Sequence, residues 1–381
     1  MASDVTISGI GLSKFGRQPG ISGREMALSA VHSALDDVGL AWPDVQVAFG
    51  GSDGSGLADT LVADLGLTGI PFTNVKNGCA TGGSALMGAI NAIRSGQADV
   101  ALAVGFDKHP PGAFDPKPED WGLPSGYGDA GLMLTTQFFG IKIARYMKRW
   151  GITEAALAQV ASKAYGNGAL NPNAWRREAL TPEDVANADL VSDPLTKFMF
   201  CTPGEGGAAV VVTRAGAAPN PGREVSLLAA EMRTRRFGSF EVFSPSIQGT
   251  GDPVSVSADA AAAALGTAGV RHGEVDVLQL QDTESGAEII HMAECGFVEH
   301  GAQEDLIASG ATGIHGSMPI NTDGGCIANG EPIGASGLRQ VTEIVLQLRG
   351  EAGERQVKDP RIGFTHVYGA PGVSACTVMA V

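Results

Sequence analysis

Aromatic side chains are scarce in this chain, at 6% of its 381 residues. The core must therefore be assembled from Ala, Val, Leu and Ile. No C-x-x-C pair occurs. The five cysteines, Cys79, Cys201, Cys295, Cys326 and Cys376, are odd in number and widely spaced. That pattern excludes a disulfide framework or a zinc ribbon and fits reduced thiols in a cytoplasmic protein. No apolar run reaches the length of a membrane helix, so no span is expected. The N-terminal Val5-Thr-Ile-Ser-Gly-Ile reads as a first strand, not a signal peptide. Positive charge is also short: 26 Lys and Arg stand against 41 Asp and Glu, a net charge of −15. Such a surface repels nucleic acid and anionic membranes. An anionic substrate would need a local basic patch. Arg233, Arg235 and Arg236 form the densest one, although solvated strand ends explain them equally well.

Glycine, by contrast, is plentiful, with 54 residues. That abundance points to tight turns and close helix–strand contacts. The chain reads as two halves on one plan, 1–217 and 218–381. Strands are predicted at Val5–Gly9, Val45–Gly50, Phe72–Lys76, Val100–Gly105 and Ala208–Thr213, with helices at Gly23–Val38, Leu57–Asp64 and Ala80–Ser95. The second half offers strands at Val225–Glu231, Val275–Gln281, Pro319–Thr322, Gly363–Tyr368 and Cys376–Val381. Its helices fit Val256–Leu265, Glu284–Cys295 and Ser336–Leu348. Alternating strands and helices imply βα units and a mostly parallel sheet. Residues 106–200 break the pattern: a Pro/Gly/Asp loop precedes helices at Phe138–Trp150 and Glu154–Asn167. A third, short helix starts at the Thr181 cap, with Pro182 in its first position. An insertion this long between core strands usually covers a site. It supplies Trp121, Tyr127, Phe138, Phe139 and Tyr146 as candidate pocket walls.

The most informative segment is Asn77-Gly-Cys-Ala-Thr-Gly-Gly83. It sets a cysteine between an extended segment and a helix of small residues, where a substrate can approach closely. The positive end of the helix dipole favours thiolate, and thiolate is the form that attacks a carbonyl.

Four segments together resemble the thiolase superfamily, in particular its sterol-carrier-protein type, also known as lipid-transfer proteins. They are the Cys79 loop with its helix and the Asp99–Gly105 strand; Asp193-Pro-Leu with Cys201-Thr-Pro-Gly-Glu-Gly-Gly-Ala-Ala209; Pro319-Ile-Asn-Thr-Asp-Gly-Gly325 with Asn329-Gly-Glu-Pro-Ile-Gly-Ala-Ser-Gly337; and His366-Val-Tyr-Gly-Ala-Pro-Gly-Val-Ser374. The resemblance implies an α/β fold, a five-layered α/β/α/β/α sandwich of two βαβαβαββ halves with a loop domain inserted in the first. It implies dimers or dimers of dimers, coenzyme A as a cosubstrate with no cofactor bound in the chain, and, for some relatives, a small zinc-ribbon/OB-fold partner.

The reactive motifs depart from the family pattern. Its Gly-His-Pro histidine, which activates the cysteine, is Glu331 here. Its Cys-x-Gly acid/base is replaced at Tyr368-Gly369-Ala370. Its oxygen-positioning motif corresponds to Gln281-Asp282-Thr283-Glu284. Only Cys79 is unchanged. An ionised Glu331 would raise the thiol pKa and serve as a base. A protonated Glu331 would donate to an enolate oxygen, and a third reading makes it a helix cap. Tyr368 is a proton donor or a packed strand-end tyrosine. His315 and His366 are the nearest candidates for the lost imidazole. Asn321 and Gly369 belong to the segments expected to touch substrate or coenzyme A. The expected activity is acyl transfer through an acyl-Cys79, cleaving or forming a carbon–carbon bond; the alternatives are retro-aldol cleavage of a 3-hydroxyacyl-CoA and, second, non-catalytic binding of acyl-CoA or lipid.

Overall fold

The computed structural model describes residues 3–236, 255–370 and 372–381. The first half runs β1 (Val5–Leu12), α1 (Gly23–Val38), β2 (Val47–Gly51), α2 (Val62–Leu65), β3 (Phe72–Asn74), α3 (Thr81–Arg94) and β4 (Val100–Lys108). The insertion follows, with α4 (Gly126–Asp129), α5 (Thr135–Trp150), α6 (Glu154–Ala169), α7 (Pro182–Ala186) and a hairpin of β5 (Leu190–Ser192) and β6 (Leu195–Thr196). The chain then returns to the core as β7 (Glu205–Arg214). The rest comprises β8 (Val225–Thr234), α8 (Val256–Ala268), β9 (Val277–Leu280), α9 (Ser285–Glu294), α10 (Gln303–Ala308), α11 (Gly325–Asn329), α12 (Ser336–Arg349), β10 (Ile362–Gly369) and β11 (Val373–Ala380).

Nine strands form a sheet in the order β3-β2-β4-β7-β1-β8-β11-β10-β9. The order is symmetric about the β1–β8 junction except for the edge strand β3, which has no counterpart strand beyond β9. From the centre outward, β1 meets β7 and β7 meets β4 antiparallel, and β4 meets β2 parallel. On the other side β8 meets β11 and β11 meets β10 antiparallel, and β10 meets β9 parallel. The junction itself has only two pairs, Thr6↔Ser226 and Ile7↔Val225. The expected strand Pro319–Thr322 is reduced to one bridge, Leu278↔Ile320. The expected helix Leu57–Asp64 is a 3-10 turn, Ala58–Leu61, followed by the single turn of α2.

Side-chain alternation along the strands creates the layers. In β4, Leu102 and Val104 face α1, whereas Ala101 and Ala103 face α3 and α12. Across the second half, Val277 and Met379 face the same two helices. Leu278, Leu280, Phe364 and Val378 instead face α8, α9 and α6. Helices α3 and α12 are thus the middle layer of an α/β/α/β/α sandwich. Small residues allow their close contact: a Cβ on Gly337 would lie 2.9 Å from the Gly83 nitrogen. The outer helix α1 is fixed by a capping box between Ser22 and Glu25 and stops at Gly39, which is left-handed at φ 77°.

Candidate active site

Cys79 sits in the turn that opens α3. Thr81 organises that turn: its Oγ1 accepts from the Asn77 nitrogen (2.9 Å) and donates to the Gly78 oxygen (2.6 Å). Gly78 has a φ of 54°, and a Cβ there would lie 2.9 Å from the Ala370 oxygen. A glycine is therefore required on both counts. Gly369 packs just as tightly from the other half, since its Cβ would lie 2.9 Å from the Ala80 nitrogen. The end of β10 and the cysteine turn are thus pressed together, backbone on backbone.

Glu331 enters from the loop between α11 and α12. Its nitrogen donates to the Thr202 oxygen (2.9 Å), and its oxygen accepts from the Gly204 nitrogen (3.1 Å). The side chain is fully buried. Its Oε2 accepts from Gln281 Nε2 at 2.9 Å, while Oε1 has no hydrogen-bond partner among the described residues. Tyr368, near the end of β10, is buried, with Lys142 Nζ of α5 5.2 Å from its ring centre.

Cys79, Glu331 and Tyr368 line one cavity of about 290 Å³, together with Cys201 and Thr283. Its apolar wall includes Phe114, Trp121 and Phe139 of the insertion, and Phe200 and Ile333. The half-buried Cys79 thiol is pushed well above its ordinary pKa, first by burial and then by the Glu331 charge. The same two causes, in the same order, raise Cys201. The dipole-assisted thiolate expected from sequence is therefore not the resting state: desolvation and a neighbouring carboxylate outweigh a helix end.

The other candidates lie elsewhere. Gln281 is buried and reaches the site only by holding Glu331. Asp282 is behind the wall. Its Oδ1 accepts from the Cys326 nitrogen (2.7 Å) at the start of α11, and burial raises its pKa well above the carboxylate range. Asn321 holds a turn at φ 53°, donating to Glu288 Oε2 (2.8 Å) and accepting from the Leu280 nitrogen (2.9 Å). His315 is exposed in the 309–317 loop. His366 is buried on β10, with Nε2 2.8 Å from Ser257 Oγ, and burial lowers its pKa to about 3. It is a neutral core imidazole. No histidine lines the cavity among the described residues. Arg233 pairs with Glu231 (2.8 Å) and Arg236 with Asp259. Neither of these nor Arg235 lines the cavity. The basic segment that adjoins it is α5, which carries Lys142, Arg145, Lys148 and Arg149. Sequence reasoning passed over Cys201, Thr283 and Lys142; only the position of the first two within motif segments marked them. Among the described residues, no cluster of three His, Cys, Asp or Glu could hold a metal ion. No helix there is long and apolar enough to cross a membrane.

Residues 9–189 match the thiolase N-terminal domain family and residues 245–380 the thiolase C-terminal domain-like family. The chain is 33% identical to an acetyl-CoA acetyltransferase of Methanothermobacter thermautotrophicus, over 98% of both chains. It is 31% identical to sterol carrier protein 2 of Bos taurus, over 98% of this chain and 72% of that one. Among solved structures, the Ltp2-ChsH2(DUF35) aldolase superposes with a TM-score of 0.87, over 100% of this chain and 98% of that one, at 22% identity. These matches, on the symmetric sheet and the Cys79 turn, make the chain a member of the thiolase superfamily, of the sterol-carrier-protein type.

Proposed function

We propose that this chain cleaves or forms a carbon–carbon bond in an acyl-CoA thioester in the aldol sense, with a 3-hydroxyacyl-CoA on one side of the reaction. The observation that supports this reading is the buried Glu331 carboxylate at the cavity wall, steadied on one oxygen by Gln281 and close to the Cys79 thiol. In the cleavage direction Glu331 takes the proton of the β-hydroxyl. The Cα–Cβ bond then breaks, leaving a carbonyl compound and the enolate of a shorter thioester. Tyr368 delivers a proton to the enolate carbon, and solvent returns the Glu331 proton to the phenolate. No free coenzyme A and no acyl-cysteine are needed. A thiol raised by burial and by Glu331 suits a wall group better than a nucleophile.

A second reading is acyl transfer through Cys79, favoured by the sulfur's place in the cavity at the start of α3. There the thiol adds to a β-ketone after Glu331 takes its proton. Bond cleavage leaves an acyl-cysteine, which coenzyme A resolves. We further propose a homodimer in the cytoplasm and a small partner protein. The aldolase neighbour, titled as a complex with a DUF35 protein, motivates the partner. The test uses the purified chain, alone and with such a partner, on 3-hydroxyacyl-CoA without added coenzyme A. Carbonyl product is expected from wild type and from Cys79→Ala, and little from Glu331→Gln. An acyl group found on Cys79 by mass spectrometry, with activity lost in Cys79→Ala, would overturn the aldol reading in favour of transfer.

A further inference from the structure

The insertion contributes more than an apolar wall. On α5, Phe139 lines the cavity, and Lys142, one turn on, places its ammonium 5.2 Å from the centre of the Tyr368 ring. No carboxylate lies within ion-pair distance of Lys142 among the described residues. Among the described residues, the other titratable groups around the phenol do not supply positive charge. His291 of α9 lies 6.1 Å away, ring to ring, and His366 precedes Tyr368 by two residues on β10. Burial keeps both imidazoles neutral, and the nearby Lys142 charge acts in the same direction. Glu284 at the start of α9 is pushed up to about 8 by burial. Glu294 lies beyond His291, with Oε2 3.9 Å from Nε2. Across the strand pair Tyr368 meets the uncharged Ser374. From the cavity it shares space with the Cys79 thiol and Glu331.

We propose that Lys142 is a positioning residue for the proposed reaction: its ammonium holds Tyr368 as the proton donor and stabilises the negative charge left on the phenol oxygen when the proton departs. This rests on the aldol reading, in which Tyr368 protonates the enolate. A cation over an aromatic face also gains from the ring quadrupole, so the pair is favourable in both protonation states. The electrostatic share differs, because only the phenolate carries a full opposite charge.

The phenol's ionisation can be read without turnover. The chain has four tyrosines, so the phenolate absorbance of wild type minus that of Tyr368→Phe isolates one titration. The same subtraction is made in the Lys142→Met and Lys142→Arg backgrounds, with melting curves to confirm folding. Met is expected to raise the Tyr368 midpoint by about one to two pH units, and Arg by less than about half a unit. The alkaline limb of kcat for hydroxyacyl-CoA cleavage should move with the midpoint. An unchanged midpoint in folded Lys142→Met overturns the proposal, as does an equal shift in Lys142→Arg. A shifted midpoint in a protein that cleaves no hydroxyacyl thioester sinks the aldol reading but leaves the Lys142–Tyr368 pairing standing.

Discussion

Glu284→Gln isolates one ionisation that the fold works against. Glu284 is fully buried at the start of α9, where its Oε2 accepts from the Gly286 nitrogen. Burial raises its pKa from 4.5 to about 8, although the Gly286 bond and the Lys142 charge oppose the rise. The folded chain therefore keeps this proton long after the unfolded chain has released it. Stability from the group is fully present below pH 4.5 and is lost as pH rises toward 8. Within that window the loss is about 1.4 kcal/mol per pH unit. Allowing for the onset of ionisation in the folded state, it amounts to about 3 kcal/mol between pH 5.5 and 8. Glutamine keeps an acceptor for Gly286 and removes the titration. Urea unfolding of both proteins across that range should show the variant gaining on wild type by about 3 kcal/mol as pH rises. A difference constant to within about 0.5 kcal/mol would refute the reasoning. Glu284 would then have to be ionised and solvated in the folded chain.

Two further outcomes follow from the site and its frame. Glu331→Gln removes the charge that raises the Cys79 thiol, so alkylation of Cys79 by iodoacetamide at pH 8 should quicken by about tenfold, read by peptide mass; an unchanged rate would mean that burial alone controls the sulfur. Gly105→Ala would put a Cβ 2.6 Å from the Gly334 carbonyl carbon, in the loop between Glu331 and α12. It should cost about 2 kcal/mol or more in denaturant unfolding and depress turnover, whereas Gly54→Ala, which meets nothing within 4 Å, should leave stability unchanged.

The layered fold was legible because its causes are local. Strands β4 and β7 are apolar along nearly their whole length, as strands covered on both faces must be. The cap of α7 is spelled out by Thr181 and Pro182. Pro319–Thr322 misled because a run at the sheet edge can look like a strand and still make only one bridge, at Ile320. The convergence of Cys79, Glu331 and Tyr368 could be expected from three motifs: the turn before α3, the loop before α12 and the end of β10. Asp282 was assigned to the site because its neighbours in sequence belong there, yet alternation along the chain turns its carboxyl toward α11 while Thr283 reaches the cavity. Arg233 and Arg236 formed a patch in sequence, but each is occupied by an acid of the same half. Least legible was the state of the thiol. A helix start argues for thiolate from sequence position, whereas burial and the Glu331 charge, which decide it, exist only after both halves have closed on the turn. Lys142 lies in the same class: its periodicity marks an amphipathic helix, and only the docking of the insertion on β10 brings its charge over Tyr368. Chemistry in this chain is therefore set at contacts between segments far apart in sequence, and substitutions at those contacts should change reactivity before they change the fold.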